Sequence, residues 1–308
     1  MAGLSPVQRY LRIVKTYKDI TGDGGSDIVE QVIAQQDRVK ARMASVRHTV
    51  AVMSGKGGVG KSSVVVNLGS ALALQDYSVG ILDADINGSS IAKMTGVRGQ
   101  SLETGETGVM PTAAARNLKV MSIDLFLRDD NMPVMWDAPT QKDAYTWRGM
   151  MEAAAIRELL SDTEWGDLDF LIIDLPPGTD KLPNMVDLLP EISGTIIVTI
   201  PSELSQFVVG KSIMVAKDLL RTPVIGLIEN MSMHICSQCG HEEKLFPGGI
   251  VEELAQQHGV PYLGRIPFDP RMAVCADEGS LYLEEYGDLP ATNAVGQIAQ
   301  RVAEFLNR

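Results

Sequence analysis

The octapeptide Gly55-Lys56-Gly57-Gly58-Val59-Gly60-Lys61-Ser62 constrains this chain more than any other feature. It lies between a β-branched apolar run at 49–53 and a helical stretch at 62–74. The form is G-x-x-x-x-G-K-[ST], in which glycines let backbone N–H groups turn inward around phosphate oxygens without Cβ clashes. The following helix adds the positive end of its dipole. In this pattern Lys61 places an ammonium on the β- and γ-phosphates of a nucleotide, and the Ser62 hydroxyl joins a Mg²⁺ shell.

The rest of the chain supplies the scaffold such a loop needs. Short apolar runs at 49–53, 79–83, 118–123, 170–174, 194–200, 224–229 and 262–266 alternate with helical patterns at 62–74, 150–160, 204–220 and 249–258. Several runs are continuously apolar, as strands covered on both faces should be. This predicts an α/β fold: a mostly parallel, twisted sheet with helices on both faces. Two runs end in acids where the carboxyl edge of a parallel sheet puts ligands. Ile81-Leu82-Asp83-Ala84-Asp85 is one. Leu171-Ile172-Ile173-Asp174 is the other, with Asp174 at the place of the acid that holds Mg²⁺ through water. The plainer alternative is that Asp83 and Asp174 cap the next helix. The stretches 98–116 and 128–148 read as loops.

Residues 1–46 differ in character. Val7, Tyr10, Leu11 and Val14 recur at helical spacing, TGDGGSD interrupts, and IVEQVIAQQDRVKARMASV resumes. We read 1–46 as an N-terminal helical extension and 47–308 as one nucleotide-binding domain containing the cysteine pair. The 39 acids and 27 bases leave a formal net charge of −12, which disfavours nucleic acid and anionic membrane as partners. No apolar run approaches the roughly 18 residues of a membrane span, and the N-terminus is not a secretory signal. Three cysteines in 308 residues make a disulfide framework improbable, so the expected location is a reducing cytoplasm.

Two of those cysteines form Cys236-x-x-Cys239, followed by Gly240, which permits a tight turn of N–H groups toward sulfur. Two thiolates are half of what an iron–sulfur cluster or a Cys₄ zinc site takes. A two-fold axis could supply the other half from a second copy. Alternatively, His234 or His241 could complete a zinc site within one chain, or the pair could be an inert or redox-active dithiol. Cys275 reads as a packed residue, and His48 and His258 as surface histidines.

Further strings carry a resemblance to a known family: Lys56 early in GKGGVGK, DADINGSS at 83–90, Trp147-Arg148-Gly149, DLPPGT at 174–179, IENMS at 228–232, the cysteine pair, and LGRIPFDPRM at 263–272. Together they resemble the Mrp/ApbC (NUBP-type) branch of the MinD/ParA-like P-loop ATPases, from about residue 49 to 277. The resemblance implies a deviant Walker A loop, with ATP and Mg²⁺ held by Gly55, Lys56, Gly57, Gly58, Val59, Gly60, Lys61, Ser62 and Ser63. It implies that Lys56 reaches across a homodimer to the partner's nucleotide, that Asp85 orients the attacking water and that Asp83 supports the metal shell. It places Asn230 against adenine and a labile [4Fe–4S] cluster on Cys236 and Cys239 at the dimer interface. Lys56, Lys61 and Asp85 are then the catalytic set, and the implied function is an ATP-hydrolysing carrier that passes clusters to apo iron–sulfur proteins. A nucleotide-switched positioning ATPase of MinD/ParA type, a nitrogenase-reductase-like electron carrier and a zinc-binding ATPase are the alternatives.

This chain departs from the family pattern in three places. Ser63 replaces threonine and keeps the hydroxyl; Asn87-Gly88-Ser89 replaces Tyr-Gly-Pro; and the common PPGTGD appears as Pro176-Pro177-Gly178-Thr179-Asp180-Lys181. The last bears on the response to the γ-phosphate and the hydrolysis rate more than on nucleotide binding.

Overall fold

The computed structural model describes residues 28–127, 141–236, 238–246, 248 and 250–308; for 28–32, 141–148 and 150 it describes the backbone course alone. The chain builds an eight-stranded sheet in the order β10-β7-β6-β1-β5-β2-β4-β3. The central strands are β1 (Val46–Met53), β2 (Val79–Asp83), β5 (Leu168–Asp174) and β6 (Gly194–Thr199). β3 (Thr112–Ala115) and β4 (Leu118–Met121) form one edge. β7 (Val224–Glu229) and β10 (Tyr262–Arg265) form the other. Pairings are parallel except β3 with β4. Every residue of β2 and β6 is buried, although successive side chains point to opposite faces. Both faces are therefore covered, which explains the continuous Val, Ile and Leu runs.

Register sets the chemistry at the carboxyl edge. β1 lies between β5 and β6, with Val52 opposite Asp174 and Met53 opposite Ile197. Asp83 at the end of β2 stands opposite Asp174. The glycine-rich loop leaves β1 beside both acids and enters α2 (Lys61–Leu74), a helix buried along most of its length.

The periphery departs from the sequence expectation in several places. The predicted loop at 98–116 contains β3, an antiparallel edge strand whose TAAA lacks β-branched alternation; it is joined to β4 through Asn117 at φ 63°. The strand expected to reach 123 ends at Met121, where Ser122 accepts from the Asp124 N–H and opens a 3₁₀ turn, Ile123–Phe126. The predicted loop at 128–148 overlaps a 22-residue helix, α4 (Gln141–Asp162), which starts well before the expected 150. Gly149 lies inside it, and residues 128–140 fall outside the described residues. The helix expected over 204–220 is α-helical over Glu203–Met214 (α6) and then passes into a π turn, Val215–Leu219, closed by the Leu220 N–H on the Val215 carbonyl at 3.0 Å.

The remaining elements are α1 (Ile28–Met43), α3 (Ile91–Met94), α5 (Lys181–Leu188), α7 (Val251–His258), α8 (Pro270–Glu278), α9 (Tyr282–Glu285) and α10 (Pro290–Leu306). A separate hairpin pairs β8 (Met233–Ile235) with β9 (Glu242–Lys244). The first predicted helical stretch, with Val7, Tyr10, Leu11 and Val14, lies outside the described residues. The second is α1, which packs on α4. Arg42 of α1 donates to the Ser161 carbonyl at 3.2 Å and to the Thr107 carbonyl at 2.9 Å, pinning the helix to the body.

Candidate functional site

The loop after β1 is shaped by glycine at two positions. Gly58 and Gly60 adopt φ of 79° and 77°, in the left-handed region that side chains disfavour. A Cβ on Gly60 would also collide with the Asn230 amide. Ser54, buried at the end of β1, turns the chain by donating from its hydroxyl to the Lys56 carbonyl at 3.0 Å. Val208 of α6 closes on Gly55 from the side, so a Cβ there would meet it at 2.5 Å.

Lys61 is 6% exposed and forms an ion pair with Asp174, itself buried. The Ser62 hydroxyl donates to the other Asp174 oxygen at 2.6 Å. Burial pushes the Asp174 carboxyl up, while the Lys61 ammonium and the Ser62 hydroxyl oppose that rise. Three of the predicted residues thus form one contiguous unit. A serine hydroxyl next to a carboxylate is the oxygen-rich, hard donor set that Mg²⁺ takes, and these two groups fit the metal. Lys56, by contrast, is half-buried and makes no ion pair among the described residues.

Asp83 is tied into the loop that follows it. Its carboxylate accepts from the backbone N–H groups of Asp85, Ser90 and Ile91 at 3.2, 3.0 and 3.2 Å and from the Ser122 hydroxyl at 3.2 Å. Three of these bonds fall on Oδ2 and one on Oδ1, and together they organise the 84–91 loop. Those from Ser90 and Ile91 lie at the start of α3, where the capping alternative puts them. Burial, then the neighbouring Asp174 charge, pushes the Asp83 pKa up to about 7 against those N–H donors. Asp85 is half-buried, and its carboxylate accepts only locally, from the Gly88 N–H at 3.2 Å. Asn87 donates from its amide to Glu152 of α4 at 2.5 Å.

The segment after β5 returns to the loop. The Leu175 N–H donates to the Val52 carbonyl and the Gly178 N–H to the Ser54 carbonyl, both at 3.0 Å. Gly178 has φ of 123°, which glycine alone tolerates easily. Asp180 and Lys181, where the chain departs from PPGTGD, form an exposed ion pair at 3.5 Å that leads into α5.

Asn230, just past β7, is buried and donates from its amide to the Val59 carbonyl at 2.9 Å. The asparagine expected near adenine braces the loop. Beyond it, the β8–β9 hairpin carries the cysteine pair in its turn. The Cys236 N–H donates to the His241 carbonyl and the Gly240 N–H to the Cys236 carbonyl, both at 2.9 Å, with Gly240 at φ 69°. Cys236 is half-exposed and Cys239 exposed. Backbone N–H groups of Gln238 and Cys239 hold the Cys236 thiol below the ordinary thiol range, which favours the thiolate that ligates metal. Among the described residues no three His, Cys, Asp or Glu side chains gather to hold a metal. Cys275 is buried in α8, as expected of a packed residue.

Sequence reasoning missed Ser54, Ser122 and Val208. Each arrives from a different element and acts through a contact that no local spacing encodes.

The chain is similar to known proteins in sequence and in fold. Iron–sulfur cluster carrier proteins from Methanocaldococcus jannaschii and Saccharolobus solfataricus are 42% and 39% identical, covering 89% and 90% of this chain and 91% and 90% of theirs. A nucleotide-binding protein from Archaeoglobus fulgidus, solved in complex with ADP, aligns with a TM-score of 0.69 at 35% identity, over 84% of this chain and 95% of that one. The cell-division protein MinD from Pyrococcus horikoshii, solved with Mg-ADP, aligns at 0.54 and 20% identity over 83% and 95%, sharing the fold. The pattern defining the ParA-type group described as NUBPL iron-transfer P-loop NTPases matches residues 45–303, so this chain belongs to that family.

Proposed function

We propose that this protein binds ATP with Mg²⁺ at the Gly55–Ser63 loop, hydrolyses it, and carries a [4Fe–4S] cluster between the Cys236 and Cys239 pairs of two copies for delivery to apo iron–sulfur proteins. One observation carries the reading: a two-thiol turn, beside which no third His, Cys, Asp or Glu ligand gathers among the described residues, is rooted on the same segment, Asn230, that braces the phosphate loop. The names of the relatives at about 40% identity support it.

Within the site, the loop N–H groups and Lys61 bind the phosphates. Ser62 and Asp174 would hold Mg²⁺, which would supply charge neutralisation to the phosphates. Asp85 is free to orient water because Asp83 fixes its backbone. Lys56, a half-buried cation without an ion pair among the described residues, is available to a second copy's nucleotide. Low hydrolysis rates are expected, since Asp180 and Lys181 alter the segment that follows Gly178.

The decisive test is anaerobic reconstitution with iron and sulfide on the native chain and on a Cys236→Ser, Cys239→Ser double variant. About four irons and four sulfides per dimer, with visible absorption that the double variant loses, are expected. Uptake of zinc alone, or of no metal, overturns the carrier reading.

A further inference from the structure

The phosphate loop and the cysteine turn are joined by a short, continuous run of contacts. β7 is fixed at its end: the Glu229 carbonyl accepts from the Ile266 N–H at 2.8 Å and its carboxylate from the Tyr262 hydroxyl at 3.2 Å. The Asn230 N–H is held by the Thr199 carbonyl at 2.8 Å, and its side-chain amide crosses to Val59. Met231 follows at φ 53°, a left-handed conformation that methionine adopts only when its surroundings impose it. Its thioether end lies close to the place a Gly60 side chain would occupy. Two successive side chains beyond β7 therefore rest on Val59 and Gly60, the backbone that nucleotide phosphates would contact.

From there the chain runs directly into the hairpin. The Ser232 N–H and hydroxyl both reach the Ile266 carbonyl, at 3.0 and 3.1 Å, and the Phe268 N–H donates to the Met233 carbonyl at 2.7 Å. Past this seat β9 is exposed along its length, while His234, Ile235 and Cys236 are half-buried. A displacement imposed at Asn230 and Met231 thus reaches Cys236 through the backbone of the buried Ser232–Met233 seat, three residues from the first thiol.

We infer that Asn230 and Met231 form a strut that reports the position of the Val59–Gly60 backbone to the Cys236–Cys239 turn, so that nucleotide at the loop alters access to the two thiols. The inference rests on the nucleotide and cluster reading above and names the residues through which one half regulates the other. Both act as positioning residues.

The test uses the full, reduced, metal-free chain. Alkylation rates of Cys236 and Cys239 are measured with and without saturating MgADP or MgATP, with occupancy verified by a fluorescent ADP. Nucleotide should change the native rate by at least about 5-fold, the lower end of ordinary coupling between two sites. Asn230→Ala and Met231→Gly, both occupied, should lose that response. Met231→Gly relieves the left-handed backbone and should fold at least as well as the native chain, so it decides the matter if Asn230→Ala binds nucleotide poorly or misfolds. A full response in Met231→Gly, or no response in the native chain, overturns the strut. Because no cluster is needed, a native chain that takes up no iron but shows a strut-dependent thiol response sinks the carrier reading and leaves the strut standing.

Discussion

At the phosphate loop, Lys61, Asp83 and Asp174 are all buried and each has a partner, whereas at the cysteine turn Cys239 is exposed and β9 is exposed throughout. The first region is completed by the fold. Its charges could not be buried unless paired and hydrogen-bonded, so the sheet that buries them also fixes their geometry. The second region is half a site. Its turn is shaped by two backbone hydrogen bonds and a glycine, and no third ligand stands beside the thiols among the described residues. The contrast suits the two tasks: a nucleotide site gains from rigid preorganisation, while a cargo site must let its cargo leave.

The comparison breaks most easily at Asp174. Asp174→Ala leaves the Lys61 ammonium buried without its partner, and a loss of about 3–5 kcal/mol in urea unfolding is expected. A loss under about 1 kcal/mol would mean that the loop region is not preorganised by that pair. Next in size is Gly60→Ala, which forces a side chain into left-handed backbone and against Asn230. It should cost about 1–3 kcal/mol and abolish binding of a fluorescent nucleotide. At the hairpin, the Cys236→Ser, Cys239→Ser variant should change stability by no more than about 0.5 kcal/mol, as exposed substitutions do, while removing iron uptake. A larger loss would show that the turn is structural.

The smallest effect concerns pH at the α1–α4 contact. Burial, with Asp162 adding to it, pushes Glu158 up to about 7 from 4.5, against Arg38. The folded state then binds the proton more tightly than the unfolded state, so this contact should weaken as pH rises from about 4.5 to 7 and level off above. Hydrogen exchange in α1 should follow that trend, and Glu158→Gln should flatten it. An opposite slope would place the carboxylate in a salt bridge.

Much of the buried region was legible in the sequence because its constraints are local. The glycines of GKGGVGK, the run into Asp174 and the β-branched strands each encode a backbone shape or a two-sided burial. What escaped was decided elsewhere. β3 has no alternation to reveal it, and exists because β4 offers an edge. The early start of α4 was hidden by Gly149, which its 22-residue helix absorbs. The bond that Asp83 accepts from Ser122 escaped too, because Ser122 reaches it from the neighbouring strand's end.

By itself, the amino-acid sequence determined the phosphate-binding loop, the parallel sheet that presents it and the presence of a two-thiol knuckle, since all three are written in residues close together along the chain. Only the tertiary structure decided that Asp83 organises a loop, that Asn230 and Met231 lean on Val59 and Gly60, and that no third ligand stands beside the cysteine turn among the described residues. Those outcomes depend on which strand ends and loops meet at the carboxyl edge, and register between distant strands, not spacing within one segment, brings them there.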